Sequence, residues 1–363
     1  MKPLSIAHHV GKGTFAAAAF FGTFIVSPTV AVADEGGVSF WVPGMFGSLA
    51  AVPQQQPGWA LATGYYHTSV SAGGDVALAR EFTIGRVPAN LTASLNANLN
   101  GTGDLAFVVP SYVFATPVLG GQAAVSMATI FGRTPASLAG TLSGSLAGPG
   151  GISIPFTRSD SISDSVTGFG DLYPQATLKW NQGVHNFMTY VTGDIPVGAY
   201  DSARLANVGI GHGAIDGGGG YTYFNPQTGH EFSAVGGFTY NFVNPATNYQ
   251  NGVDFHLDMA AAQFLSKQVL VGAVGYLYNQ VTGDRGSGDR VGSFESRVAG
   301  VGPQFGYLFP IGNMQGYLNL KAYFEFDSHD RPSGWNTWLT FAISPAAPPA
   351  PTPPMSRAPM IYK

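Results

Sequence analysis

The chain has 363 residues and a formal net charge of −4, and only 10% of its residues are charged. A soluble globular protein carries about 25%, so an ordinary water-facing surface is excluded. Cysteine is absent, which excludes disulfides and thiolate metal sites.

Mean hydropathy is only +0.12, and past the N-terminus no apolar run approaches the roughly 18 residues of a membrane helix. Low charge without such a helix fits a β-barrel, in which one face of each strand meets lipid and the other a polar lumen. No basic run or nucleic-acid motif occurs, so no nucleic-acid partner is expected.

Residues 1–33 read as an export signal. Lys2, His8, His9 and Lys12 form a basic region, Gly13 to Val26 is apolar, and Ala31-Val32-Ala33 is a small-x-small cleavage pattern before Asp34. Its removal leaves 14 basic against 20 acidic residues. Residues 34–57 contain F-W-V-P-G-M-F-G-S-L-A-A-V-P, poor ladder material because of its prolines. The segment is too apolar for a free tail and is expected to plug the barrel mouth, with Phe40, Trp41, Met45 and Phe46 as its anchors.

Strands begin near residue 58. Outer-membrane barrels alternate short periplasmic turns with longer outer loops. Short turns are expected at 117–121, 181–183, 226–229, 266–267 and 311–313. Long connections are expected at 70–103, 133–165, 196–213, 244–250, 282–296 and 328–333. This places strands near 58–69, 104–116, 120–132, 167–180, 184–195, 214–225, 230–242, 252–265, 268–281, 297–310, 313–327 and 334–343. Twelve is even, and both ends fall on the periplasmic side. The Leu/Asn alternation in 82–100 either extends a hairpin above the membrane or adds strands to make fourteen. The fold class is therefore an all-β, antiparallel transmembrane β-barrel over 58–343.

The alternation is clearest at 313–327, N-M-Q-G-Y-L-N-L-K-A-Y-F-E-F-D. Met314, Leu318, Leu320, Phe324 and Phe326 fall on one face, and Tyr317, Lys321, Tyr323 and Glu325 on the other. At 230–242, Phe232, Phe238 and Tyr240 face lipid while Glu231 and Ser233 face in. At 252–265, Phe255, Leu257 and Met259 face lipid while Asp254, His256 and Asp258 face in. Asp171, Tyr173 and Lys179 line the lumen from 167–180. The stretch 268–281 has apolar or small residues on both faces and does not orient itself. Trp41, Trp59, Tyr65, Trp180, Tyr221 and Trp335 sit where interfacial girdles are expected. Residues 344–363 form a proline-rich tail of polyproline type, so the barrel assembly machinery would have to read W-L-T-F-A-I at 338–343 ahead of it.

Charges at membrane depth must face water or a partner, so the inward charges either hold a ligand or solvate the lumen. Asp254, His256 and Asp258 lie about 6.6–6.8 Å apart along the strand, too far for three ligands on one metal, and read as polar wall. No metal or other cofactor is expected. A barrel phospholipase would need Ser and His in hydrogen-bond reach near the outer rim. No serine follows a nucleophile-type pattern, and a non-enzymatic barrel is expected. In the outer loop 282–290, T-G-D-R-G-S-G-D-R, alternating Asp and Arg either pair with each other in solvent or meet calcium or lipopolysaccharide phosphate.

Several stretches carry a resemblance: D-S-V-T-G-F-G-D-L-Y-P (164–174), W-N-Q-G-V-H-N-F (180–187), T-G-D-I-P-V-G-A-Y (192–200), G-H-G-A-I-D-G-G-G-G-Y-T-Y (211–223), G-S-G-D-R-V-G (286–292) and G-Y-L-N-L-K (316–321). With F-W-V-P-G-M-F-G-S-L-A-A-V-P (40–53), they make the chain resemble the MetA-pathway phenol-degradation, SphA-like family of Gram-negative outer-membrane proteins. The resemblance implies an outer-membrane channel for small hydrophobic or aromatic compounds, linked to aromatic-compound degradation, with no ligand residues to carry over. The partners implied are outer-membrane lipid and a small hydrophobic or aromatic ligand. Two other functions fit the same pattern: a general porin for small polar solutes, and a closed structural or adhesive surface barrel.

Overall fold

The computed structural model describes residues 39–54, 56–73, 94–147, 153–289 and 295–346. Among them are twelve strands: β1 (Gly58–Gly73), β2 (Ser94–Val113), β3 (Gln122–Ala147), β4 (Ser153–Gln182), β5 (His185–Asp194), β6 (Ala214–Asn225), β7 (His230–Asn241), β8 (Asp254–Phe264), β9 (Val269–Gln280), β10 (Arg297–Ile311), β11 (Met314–His329) and β12 (Ser333–Pro345). Each pairs antiparallel with its chain neighbour, and β1 closes on β12 from Leu61↔Ile343 to Ser71↔Ser333. Closure leaves no open edge around the ring of the barrel itself, as a wall without water around it requires. The expected signal at 1–33, residues 82–93 of the ambiguous hairpin and the tail from 347 onward lie outside the described residues.

The wall is inside-out relative to a soluble protein. Leu320, Phe324 and Phe326 of β11 are 48%, 63% and 54% exposed, whereas Lys321 and Tyr323 between them are 3% and 1% exposed. Charged and polar groups inside with rings outside make sense only if the outer solvent is hydrocarbon. Trp59, Phe169 and Trp335 are among the exposed rings. Short turns gather at one rim, where Gly183 and Gly312 take φ of +70° and +60°, conformations open to glycine at no steric cost. Trp41 is a correction: it is buried inside the lumen at 1% exposure, not in a girdle.

Among the described residues, the expected outer loop 133–165 is largely strand, and the described ends of 70–103 are strand too. Residues 94–103 belong to β2, 133–147 to β3 and 153–165 to β4, paired from Ala147↔Ser153 down to Gln122↔Lys179 with one register shift between Thr129 and Phe131. At about 3.3 Å per residue the 30 residues of β4 extend roughly 100 Å, far more than an apolar band about 25 Å tall needs. The Ser-, Gly- and Thr-rich composition reads as loop, but Ala97 and Leu138 bury against Leu205 and give the extension a small core of its own.

Strand β9, unoriented from sequence, turns Leu270, Val274, Tyr276 and Tyr278 inward. The sequence hides this because the interior here is not wet. Those residues, Leu270 apart, join Tyr66, Phe107, Tyr323 and Trp338 in an aromatic cluster inside the barrel.

Candidate functional site

Residues 39–54 run up the lumen from the short-turn rim, and the inward charges hold their backbone. At the rim Gln54 N–H donates to Gln122 Oε1 at 2.8 Å, and Gln122 Nε2 returns a bond to Gln54 O at 3.0 Å. One level up, Lys179 Nζ donates to Ala50 O at 2.7 Å and Val52 O at 3.4 Å. Glu231 accepts the Ser48 hydroxyl at 2.6 Å and Leu49 N–H at 3.0 Å, and is held in place by the Ser233 hydroxyl. Ala51 N–H donates to Thr222 Oγ1 at 3.1 Å. Higher still, Asp258 accepts Gly44 N–H at 2.9 Å and Phe46 N–H at 3.0 Å. Lys321 Nζ donates to the carbonyls of the same two residues. A carboxylate on the N–H side and an ammonium on the C=O side grip one short turn, through charge-assisted bonds stronger than neutral ones.

Above this clasp Trp41 stacks on His256, with ring centroids 3.5 Å apart and planes 12° from parallel. Asp216 Oδ2 holds His256 Nε2 at 2.9 Å, and Thr239 donates to the same oxygen at 2.6 Å. Gly218 in β6 makes room for this: a Cβ there would stand 2.7 Å from Tyr190 Oη and 2.2 Å from Gly236 O. Within the glycine run 217–220, Gly218 therefore leaves space that the Tyr190 hydroxyl fills. Tyr190 in turn meets the Trp41 and Phe46 rings at 6.1 and 5.7 Å.

The remaining inward candidates serve neighbouring layers. Asp254 accepts from Asn241 at 2.8 Å. Glu325 accepts the Tyr276 hydroxyl at 2.8 Å and Gly334 N–H at 2.7 Å, tying β11 to β12. Tyr323 packs on Tyr276 at 4.9 Å and against Gly44, whose φ is +84°. Tyr317 lies half-buried nearer the short-turn rim. Asp171 accepts Gly198 N–H at 2.7 Å and Ile210 N–H at 2.8 Å. It thereby draws the expected outer loop 196–213 into the mouth, where Ile210 packs on the buried cluster to which Phe40 and Trp41 belong. From outside, Arg204 clamps the same loop to Asp164 through bonds of 2.6 and 3.1 Å.

In the loop after β9, Asp284 turns inward rather than toward an outer cation. It accepts from Tyr249, from Gly252 N–H at 3.0 Å and from Gln280 at 2.6 Å. Burial still pushes its carboxyl above the usual range. Among the described residues no cluster of three or more His, Asp or Glu is arranged to hold a metal.

Because every clasp except Lys179 and Gln122 lies on β6 to β11, residues 39–54 lean to that side. An apolar chamber of about 300 Å³ remains on the other. Phe40, Val42, Met45 and Phe46 form its inner side, and Ala62, Phe107, Val109, Ala128, Ile130, Tyr173 and Trp338 its wall. Below it lies a second chamber of about 180 Å³ with polar members Gln54, Gln122, Thr177 and Lys179. The aromatic residues of the inserted segment and Tyr173 were sequence candidates, but the strand wall was not. On β2 and β3 the inward residues Phe107, Val109, Ala128 and Ile130 are apolar or small, so alternation vanishes. That loss of contrast is the only sequence signal of an apolar lumen.

A closed antiparallel barrel with an apolar exterior, polar inward charges and short turns at one rim is an outer-membrane barrel, and the protein resides in the outer membrane. A family model described as "Putative MetA-pathway of phenol degradation" matches residues 71–341, and the chain belongs to that family. The crystal structure of an outer-membrane channel from Pseudomonas putida F1 is similar at TM-score 0.56 and 13% identity, covering 84% of this chain and 100% of that one. The translocator domain of the autotransporter NalP from Neisseria meningitidis is a looser likeness. Its TM-score is 0.36 at 10% identity, over 81% of this chain and 89% of that one. A FadL homologue of Pseudomonas aeruginosa gives 0.31 at 10% identity, over 79% and 89%. No curated protein matches the sequence.

Proposed function

We propose that the protein is a passive uptake channel for small hydrophobic or aromatic compounds. The observation that carries this reading is the apolar chamber between residues 40–46 and the wall of β1 to β4. An apolar cavity of about 150 Å³ takes up benzene, so about 300 Å³ suits one aromatic ring with short substituents. Membership of a phenol-degradation family agrees with such a cargo. On the same reading residues 1–33 direct export and 34–57 are the lumen segment. Residues 58–343 are the barrel inserted by the assembly machinery, and 344–363 a periplasmic tail.

The test is toluene and phenol influx into vesicles containing lipopolysaccharide, with the full chain and with residues 36–56 deleted. The full chain should pass both solutes at low ion conductance, and the deletion should change permeability and raise conductance. If flux matches that of empty vesicles for both proteins, the uptake reading fails. Large unselective conductance by the full chain would instead favour a general porin.

A further inference from the structure

Resting on that uptake reading, the geometry points to one residue as the size filter: we propose that solutes pass beside a stationary inserted segment, through a neck set by the Phe46 ring. The upper and lower chambers share five lining residues, Phe46, Ala62, Val109, Ser126 and Gln175. Residues that line both chambers lie where one gives way to the other. Four of them fall in two adjacent register pairs of the wall: Ala62 is the partner of Val109, and Ser126 of Gln175. Their side chains are held by the barrel ladder, and Phe46 is the one ring among the five.

The Phe46 backbone is fixed on both sides, its N–H by Asp258 at 3.0 Å and its carbonyl by Lys321 at 3.3 Å. Asp258 and Lys321 are thus positioning residues for the neck. The ring is less constrained: it sits 5.7 Å from both Trp41 and Tyr190 and remains half-buried. Rotation of one side chain, without withdrawal of the segment, changes the aperture. The lining changes across the neck. Phe107, Ile130 and Trp338 stand above it among a few threonines, whereas below it Gln54, Gln122 and Lys179 join Val113, Ala124 and Met188, so the lining grows more polar. An apolar solute is therefore held above the neck and meets polar groups once past it, which favours release toward the short-turn rim.

The test compares toluene with two-ring naphthalene in vesicles carrying the full chain, its Phe46→Ala and Phe46→Leu variants, or Phe46→Trp. Ion conductance is recorded alongside. The naphthalene-to-toluene influx ratio should rise about tenfold in Phe46→Ala and less in Phe46→Leu, and toluene influx should fall about tenfold in Phe46→Trp. That is the scale a methylene-sized misfit carries in an apolar pocket. Conductance should stay at the wild-type level, because Asp258 and Lys321 still grip the backbone. An unchanged ratio across the three variants overturns the neck. So does a Phe46→Ala conductance matching the 36–56 deletion, since the segment would then have left. Failure of the full chain to pass toluene at all is a different result and rejects the uptake reading itself.

Discussion

Replacing Asp258 by leucine should release the inserted segment and destabilise the barrel by about 3–5 kcal/mol, the scale for removing one partner from a buried charged pair. Asp258 is 2% exposed and accepts two backbone N–H groups, and Lys321, 3% exposed, grips the carbonyls of the same two residues. With leucine there, a buried ammonium loses its nearby carboxylate, and Gly44 and Phe46 each bury an unsatisfied N–H, costing about 1–3 kcal/mol apiece. The segment escapes these penalties by leaving the wall. Planar-bilayer conductance should rise toward that of the 36–56 deletion, and the urea midpoint should fall. Asp258→Asn retains one acceptor and should fall between. Wild-type conductance in Asp258→Leu would mean that the clasp does not hold the segment.

Arginine at Leu320 should cost about 2–4 kcal/mol, whereas arginine at Phe326 should cost about 0–1 kcal/mol, because the penalty for a charge on the lipid face falls toward the interface. Leu320 lies midway along β11, opposite Phe305 and Leu339, and Phe326 lies near its outer end. Both side chains are about half exposed, at 48% and 54%, so burial within the protein predicts no difference between them. Guanidinium unfolding in vesicles measures both. Equal costs would mean that the apolar face of β11 does not lie in hydrocarbon.

β11 was the most legible part of the sequence because its two faces meet the two most different environments. The ends of β6 to β8 were legible for the same reason, with turn residues such as Gly229 at φ +74° marking where pairing reverses. The extension of β2 to β4 was not. Ser, Gly and Thr contribute no alternation, and what stabilises it, Leu205 on Ala97 and Leu138, comes from a distant loop. Nor was the direction of β9, since both of its faces are apolar.

In the site, the inward facing of Glu231, Asp258 and Lys321 followed from periodicity alone. What they hold did not. A carboxylate placed for a ligand and one placed for the chain's own N–H groups look identical in a strand pattern. Trp41 stacking on His256 depends on the fold of the whole barrel, and a tryptophan toward the end of a strand pattern has the local signature of a girdle. The apolar chamber was least visible, because it is built where periodicity fails.

The central claim is that small apolar solutes cross through the chamber beside the inserted segment. Ala128 lines that chamber from β3 and takes no part in the clasps, so Ala128→Trp fills the space and leaves the segment bound. Toluene influx into vesicles containing lipopolysaccharide should drop to the level of empty vesicles in this variant while conductance and unfolding midpoint stay near wild type. Toluene influx equal to that of the wild-type protein would contradict the account.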